Sequence, residues 1–242
     1  MNRIITGIAA SPGIAIGKVF LYKDSNFEIF EQSKLTKEEE IARLIKGREI
    51  AKAQLEEIKE NTLVKLGKDK ADIFEGHITL LEDEELFSEI DSKISENNYT
   101  AEFALNEAID EYATMLGNLE DAYFKERAGD LRDIGKRWLY GVANQEIVDL
   151  SKLQPETIIV AKELNPSDTA QINLDNVLAF VTEIGGKTAH SSIMARSLEL
   201  PAVVGVGAIL DTLQAEQTII VDAIKGEVIV DPNEETLKLY SE

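Results

Sequence analysis

The stretch GGKTAHSSIMARSLELP, residues 185–201, joins a glycine-rich turn to a short predicted helix and contains His190, one of two histidines in the chain. Glycines let backbone N–H groups approach an anion, and the hydroxyls of Thr188, Ser191 and Ser192 offer further donors. Apolar residues recur at helical spacing after His190, which is therefore predicted at a helix N-terminus, where free N–H groups and the dipole favour an anion. The predicted apolar face holds Ile193, Met194 and Leu198. The stretch predicts a histidine that carries a phosphoryl group.

The rest of the sequence shows two patterns of apolar residues, one typical of strands and one typical of helices. Residues 1–23 and the region after Leu150 contain short β-branched runs separated by turns, as in an α/β domain. Between them apolar residues recur at helical spacing, and no proline occurs between Pro12 and Pro155. The sequence therefore predicts an α/β plus all-α fold, in which a helical bundle is inserted into a discontinuous α/β domain. The predicted domains are residues 1–23 with 148–231 for the α/β domain, residues 33–143 for the helical bundle, and residues 232–242 for the start of a further helix.

Capping residues and turn residues in the sequence predict where the helices and strands begin and end. Thr36 is predicted to cap the first long helix, with Glu39 three residues later in a capping box, and Thr100 to cap a later one. The predicted helices are Thr36–Leu66, Asp69–Leu81, Asp83–Ile94, Thr100–Leu116 and Leu119–Val142. The predicted strands after Leu150 are Thr157–Val160, Val177–Val181, Val203–Val206, Thr218–Val221 and Glu227–Val230.

The composition narrows the choice of partner and compartment. The formal charge of −20 argues against nucleic acid, because its phosphates repel an acidic surface, and it favours a basic protein partner. The chain has no cysteine, which excludes disulfides and thiolate chemistry and fits a cytoplasmic location. No stretch approaches the length of a membrane span, so no membrane association is expected.

Several segments resemble one family. Enzymes that take phosphate from phosphoenolpyruvate carry Gly-Gly-x-x-x-His, then Ser-x-x-Ala-Arg, then Pro-Ala-Val-Val-Gly; this chain has GGKTAH at 185–190, SIMAR at 192–196 and PAVVG at 201–205. Further segments resemble the N-terminal domain of the enzyme I family of the bacterial phosphoenolpyruvate:sugar phosphotransferase system. They are ASPGIA at 10–15, IFEGHI at 73–78, LEDEEL at 81–86 and RDIGKR at 132–137.

The resemblance implies a phosphotransferase. Its histidine, here His190, accepts phosphate and passes it reversibly to the phosphocarrier protein HPr, the first step of sugar uptake and phosphorylation. Thr169 corresponds to the threonine that orients this histidine, and Lys70 to a lysine near the site. In the family, a C-terminal barrel binds phosphoenolpyruvate and Mg²⁺ and forms the homodimer. Since these 242 residues match only the N-terminal part, we expect no cofactor or metal, a monomer, and no phosphorylation by phosphoenolpyruvate.

Two sets of residues are candidates for supporting roles. The phosphate-supporting set is Gly185, Gly186, Lys187, Thr188, Ser191, Ser192, Arg196 and Lys70, although Arg196 fits a salt bridge with Glu199 equally well. The set predicted to bind HPr lies on an acidic helical edge and is Glu75, Leu80, Asp83, Glu84, Glu85 and Leu86. Consecutive carboxylates on a helix point in different directions, so this edge is not predicted to hold a metal.

Other readings remain open. The chain could be the swivelling phosphohistidine domain of a pyruvate phosphate dikinase-like enzyme, although such domains lack this helical insertion. It could also be a non-enzymatic helical module that binds proteins. The second histidine, His77, has neither glycines nor clustered hydroxyls beside it, and is predicted to be a packed or interface residue.

Overall fold

The computed structural model describes residues 2–241, which form two compact units. The α/β unit contains the residues up to 24 and those from 148 onward, and the helical unit contains residues 25–147. Strands occur in the first unit, and the second is built from long helices. The predicted fold class, α/β with an inserted helical bundle, is confirmed.

The helical unit packs five helices around an apolar stripe of the first. They are α1 (Lys37–Leu66), α2 (Lys68–Leu81), α3 (Glu84–Asn97), α4 (Ala101–Gly117) and α5 (Ala122–Val142). The stripe of α1 is buried at Leu44, Ala51 and Leu55, at the helical spacing that the sequence predicts. Trp138 of α5 is fully buried, and its indole N–H donates to the Leu44 carbonyl at 2.9 Å. This bond satisfies the one polar group of the largest core side chain.

Capping side chains set where these helices begin. Thr36 precedes α1, and its hydroxyl accepts from the Glu39 N–H at 3.1 Å. The prediction placed Asp83 and Leu119 inside helices, whereas α3 begins at Glu84 and α5 at Ala122. In each case an aspartate stands just outside the helix and accepts a first-turn N–H, because a cap has non-helical backbone angles.

The α/β unit is built on one eight-stranded sheet. The strands are β1 (Arg3–Thr6), β2 (Ile8–Ser11), β3 (Ile14–Tyr22), β4 (Thr157–Ala161), β5 (Val177–Thr182), β6 (Ala202–Val204), β7 (Thr218–Asp222) and β8 (Glu227–Val230). Their order is β1-β8-β7-β3-β4-β5-β6-β2. The central strands β3 to β6 run parallel, and the other neighbours are antiparallel. Only Gly7 separates β1 from β2 at the two ends of this order, so the sheet curls until its edges come together.

Apolar layers cover both faces of this sheet. Successive residues of β4 alternate between them: Val160 belongs to the layer with Val181 and Val221, and Ile159 to the layer with Phe180. All five β4 residues are buried, which is why this strand reads as a continuous apolar run rather than an alternating one.

Three helices complete the α/β unit. They are α6 (Pro166–Thr169), α7 (His190–Ser197) and α8 (Glu234–Ser241). The sequence places Ile193 on the apolar face of α7, and this prediction is wrong. Ser191, Met194 and Ala195 face the core, whereas Ile193 is 44% exposed. These three positions lie three and four residues apart, so they share one side of the helix and Ile193 falls outside it.

The strand after α7 ends earlier than predicted. The sequence places this strand at Val203–Val206, but β6 ends at Val204. Gly205 has φ +67°, a left-handed conformation that leaves the strand. The chain therefore turns at Gly205 and returns past the loop that precedes α7.

The predicted C-terminal helix is present as α8, and it is fixed to the α/β unit by polar contacts. The Asn2 side chain donates to the Thr236 hydroxyl at 2.7 Å. Tyr240 donates to Asp222 at 2.8 Å, and this bond, followed by partial burial, raises the pKa of Tyr240 to about 12. The helix is thus tied both to the chain start and to the end of β7.

Candidate active site

His190 is the first residue of α7. Ala189 precedes the helix with extended backbone angles, and no side chain caps the first turn. The imidazole is partly buried. The predicted placement at a helix N-terminus is therefore confirmed, and the positive end of the helix dipole lies beside the ring.

The loop before His190 has its carbonyl groups held by side chains of the α/β unit. Thr182 donates to the Ile184 carbonyl at 2.7 Å, and Ser192 donates to the Gly186 carbonyl at 2.7 Å. Arg196 donates from Nη2 to the Lys187 carbonyl at 2.8 Å. We call residues 184–188 the histidine loop. Three of its carbonyl oxygens are thus used in fixing it.

Glycine is required at two positions of this region for different reasons. Gly185 has φ +113°, which other residues rarely adopt. Gly205 is also left-handed, and a Cβ there would lie 3.1 Å from the Gly185 carbonyl oxygen. The turn after β6 therefore packs against the histidine loop at a distance that admits only glycine without displacement. Gly186, the other member of the pair, has open space around it.

The predicted phosphate-supporting residues of the α/β unit fall into two groups. Lys187 and Thr188 are exposed beside His190, so their side chains are free to approach an anion in solvent. Ser191 and Ser192 are buried, at 6% and 0% exposure. Because the only hydroxyl proton of Ser192 is donated to Gly186, this side chain holds the loop and has no second proton to donate. Lys70 belongs to the helical unit, on α2.

Arg196 makes contacts that the sequence did not predict. Its Nη1 donates to the Ala10 carbonyl of β2 at 2.8 Å, and its Nη2 reaches Lys187, as described above. No ion pair between Arg196 and Glu199 is found among residues 2–241, so the alternative of a salt bridge is not realised there. Arg196 lies six positions after His190, and that spacing carries no signal for contacts with backbone carbonyls.

Thr169 lies at the end of α6, which packs against α7. It is 2% exposed, and its hydroxyl donates to the Pro166 carbonyl at 3.1 Å. The short helix is itself anchored, because Asp168 accepts from the Asn165 N–H at 2.9 Å and from the Tyr22 hydroxyl at 2.6 Å. Tyr22, on β3, could not have been identified as a partner of this helix from sequence. The orienting role of Thr169 stays a prediction.

His77 is buried in the helical unit at 1% exposure. Its Nδ1 lies 2.9 Å from the Ile73 carbonyl and its Nε2 lies 3.2 Å from Asp133, with Asp130 at 3.8 Å. Burial lowers the pKa of His77, but the hydrogen bond and charge of Asp133, with the charge of Asp130, outweigh it and raise the pKa above 6.5. The prediction that His77 is a packed residue is confirmed.

The acidic edge consists of the end of α2 and the start of α3. Glu84 and Glu85 are exposed, and Asp83 is exposed while its carboxylate caps α3. Burial, followed by the charges of Glu89, Glu85 and Asp83, raises the pKa of Tyr112 on the neighbouring helix α4.

The remaining edge residues differ from the prediction. Leu86 is only 5% exposed and belongs to the buried side of α3, so it cannot act as a surface anchor. Leu80 is half-buried. Glu75 is exposed, but it is paired with Lys59 at 2.6 Å, which offsets its charge. Leu86 is buried because it lies four residues before Ile90, on the face of α3 that also buries Ile94.

Residues 2–241 contain neither a cluster of metal-ligating side chains nor a helix that could span a membrane. No group of three or more histidine, aspartate or glutamate side chains in this range is arranged to hold a metal ion. Every helix in it is too short or too polar to cross a membrane.

Two family models match this arrangement of a histidine-bearing α/β unit with a helical unit. The N-terminal domain of PEP-utilising enzymes matches residues 6–127, and the mobile domain of PEP-utilising enzymes matches residues 153–226. The chain belongs to the family of phosphoenolpyruvate-utilising enzymes.

Relatives within the family are phosphoenolpyruvate-protein phosphotransferases. The protein from Haemophilus influenzae is 46% identical over 232 residues, which are 95% of this chain and 40% of the relative. The protein from Bacillus subtilis is 45% identical over 238 residues, which are 98% of this chain and 42% of the relative. The chain thus spans about two fifths of the length of these curated relatives.

Solved structures agree with this assignment. A solution NMR structure of Enzyme I (nEIt) superposes with a TM-score of 0.84 at 44% identity, and covers 98% of this chain and 96% of that chain. The N-terminal domain of Enzyme 1 - Nitrogen gives a TM-score of 0.64 at 29% identity, and covers 98% of both chains. The resemblance to the N-terminal domain of enzyme I is confirmed.

Proposed function

We propose that this chain is a phosphotransfer module of the bacterial phosphotransferase system, which accepts a phosphoryl group on His190 and exchanges it reversibly with HPr. The names of its relatives and its similarity to Enzyme I over nearly the whole chain support this class of activity. The observation that carries the proposal is the position of His190, at the N-terminus of α7 and directly after the histidine loop.

The histidine loop is built to receive an anion. In a planar trans peptide, the N–H of one residue points opposite to the carbonyl of the residue before it. The carbonyls of Ile184, Gly186 and Lys187 are turned toward their donors, so the following N–H groups, of Gly185, Lys187 and Thr188, are turned away from them. Within residues 2–241 these three N–H groups have no acceptor. We propose that these groups, together with the first turn of α7, donate to phosphate oxygens.

The chemistry then requires one nitrogen of His190 in its neutral form. Its lone pair forms a bond to phosphorus while the bond from phosphorus to the leaving atom of the carrier breaks, and the leaving atom retains the electron pair. The phosphoryl oxygens are stabilised by backbone N–H groups and by the exposed Lys187 ammonium. Thr169 is proposed to orient the imidazole from α6.

HPr is proposed to dock on the helical unit through the acidic edge. Glu84 and Glu85 are exposed there, and Leu80 offers part of an apolar contact. The charge of −20 and the exposed carboxylates of this edge both favour a basic partner. In the longer relatives, phosphoenolpyruvate is the proposed phosphoryl source, with Mg²⁺ bound outside the part of the chain described here. We propose that the exchange takes place in the cytoplasm. We also propose that this chain alone is a monomer and that the longer enzyme is a homodimer.

Mass spectrometry after incubation with phosphorylated HPr tests the proposal. We expect one phosphoryl group per chain, mapped to the peptide that contains His190, labile in acid and stable in alkali, as a phosphoramidate is. His190→Gln should abolish the label, and a folded His77→Gln variant should keep it. Label that persists in the His190 variant would refute the assignment, and no label on the wild type would favour a module that only binds proteins.

A further inference from the structure

Arg196 carries charge close to the proposed phosphate site, yet its guanidinium is committed to the protein backbone. Nη1 donates to the Ala10 carbonyl of β2 and Nη2 donates to the Lys187 carbonyl, each at 2.8 Å. Ala10 and Lys187 are far apart in sequence, on an edge strand of the sheet and in the histidine loop. One side chain on α7 therefore joins three segments.

We infer that Arg196 is a positioning residue: it fixes the histidine loop to β2 and thereby sets the direction of the backbone N–H groups that receive phosphate. This inference rests on the proposed function. Arg196 would act on the peptide bond between Lys187 and Thr188. By binding the Lys187 carbonyl, it fixes the Thr188 N–H in the opposite direction. It requires no contact between the guanidinium and the phosphoryl group.

The geometry explains why this position needs arginine. A guanidinium presents several N–H donors in a rigid planar fork, so two carbonyls on different segments can be bound at fixed positions. Lysine has the same charge on a single flexible ammonium, which is strongly hydrated and has no such fork. Ser192, on the same helix, donates to the Gly186 carbonyl and supports the neighbouring peptide. Residues 192 and 196 are one helical turn apart, so one face of α7 holds two consecutive loop carbonyls.

The two possible roles of Arg196 predict different responses to substitution. If its charge contacted phosphate, Arg196→Lys would keep most of the transfer rate and Arg196→Gln would lose it. If the fork positions the loop, the two variants should lose activity alike. We expect the transfer rate from phosphorylated HPr to fall by about 10- to 100-fold in both, since small displacements of catalytic groups have effects of this order. The KM for HPr should stay unchanged, because docking is proposed on the helical unit.

A second measurement needs no phosphate. In the unphosphorylated wild type, NMR should detect slow solvent exchange of the Arg196 Nη hydrogens. In both variants the amide signals of Lys187 and Thr188 should shift or broaden. Glu199→Gln is the matched control, since Glu199 lies on the same turn and makes no ion pair with Arg196 in residues 2–241; it should leave the rate and the loop signals unchanged.

The outcomes separate this inference from the proposed function. Wild-type protein that takes no phosphate from HPr would refute the proposed function, whereas the loop signals would still test the positioning role. Near-normal transfer in Arg196→Lys with unshifted loop signals would overturn the inference. Rapid exchange of the Nη hydrogens in the wild type would overturn it as well, even if both variants failed to fold.

Discussion

Gly205 and Gly207 offer a matched pair of substitutions that separates backbone strain from damage to the site. Both glycines have left-handed backbones, with φ +67° and +84°. A Cβ on Gly205 would lie 3.1 Å from the Gly185 carbonyl oxygen, whereas a Cβ on Gly207 would meet no atom within 4 Å. Gly205→Ala and Gly207→Ala should therefore both strain a left-handed backbone, but only Gly205→Ala should also press on the Gly185 carbonyl.

The shared cost is the left-handed conformation of an alanine, about 1 kcal/mol. Each variant should thus lose roughly 2–4 °C in melting temperature, if the whole chain unfolds together. The additional effect at Gly205 is a contact that can be relieved only if the Gly185 peptide moves by a few tenths of an ångström. Because Gly185 belongs to the histidine loop, this movement displaces the N–H groups beside His190.

We expect the displacement to slow phosphoryl transfer by about 10-fold in Gly205→Ala, while Gly207→Ala transfers at the wild-type rate. Rapid-quench measurements with phosphorylated HPr give the rates, and urea unfolding of the same samples gives the stabilities. Equal rates in the two variants would refute the claim that the contact with Gly205 positions the loop. A slow Gly207→Ala variant would show that strain alone accounts for the effect.

Three further predictions concern the helical unit. The raised pKa of His77 means that the folded protein holds a proton that the unfolded chain releases. The free energy of unfolding should therefore fall as pH rises above 6.5. Asp133→Asn should reduce this dependence on pH, as measured by urea unfolding at several pH values. Glu84→Lys should slow association with HPr in stopped-flow experiments at low salt, and the difference from wild type should shrink at high salt. Arg43→Met should cost about 3 kcal/mol in urea unfolding, because it removes the charged partner of Glu40, which is 1% exposed; a loss under 1 kcal/mol would contradict this.

Local sequence signals were sufficient for most of the fold. The α1 cap and stripe follow from short-range chemistry, since Thr36 accepts from Glu39 three residues later and the buried positions repeat at helical spacing. The start of α5 was missed, because Asp121 and the earlier Leu119 both fit a helical pattern and only the backbone geometry shows which residue caps. Strand order could not be predicted, because pairing between β1 and β8 joins residues more than 200 positions apart.

The candidate site was predictable in its identity and less so in its geometry. The glycine pair and the hydroxyls around His190 indicated an anion site from the sequence. Their division of labour depends on tertiary contacts: Ser192 holds the Gly186 carbonyl, and Arg196 reaches a strand from the other end of the chain. Gly205 is a further example of a tertiary contact that sequence does not predict. A glycine suggests a positive φ, but nothing in the sequence indicates that this residue contacts Gly185.

The two histidines show how surroundings decide the chemistry of one side chain. The ring nitrogens of His77 face a carbonyl and a carboxylate, and the hydrogen bond and charge of Asp133 raise its pKa although burial opposes this. Both ring nitrogens are engaged inside the helical unit, and at 1% exposure no carrier protein could reach them. His190 stands partly exposed at a helix N-terminus, where positive partial charge favours an anion bound to it. His190 is therefore the histidine proposed to accept phosphate, because an anion can reach it from solvent, whereas His77 is enclosed.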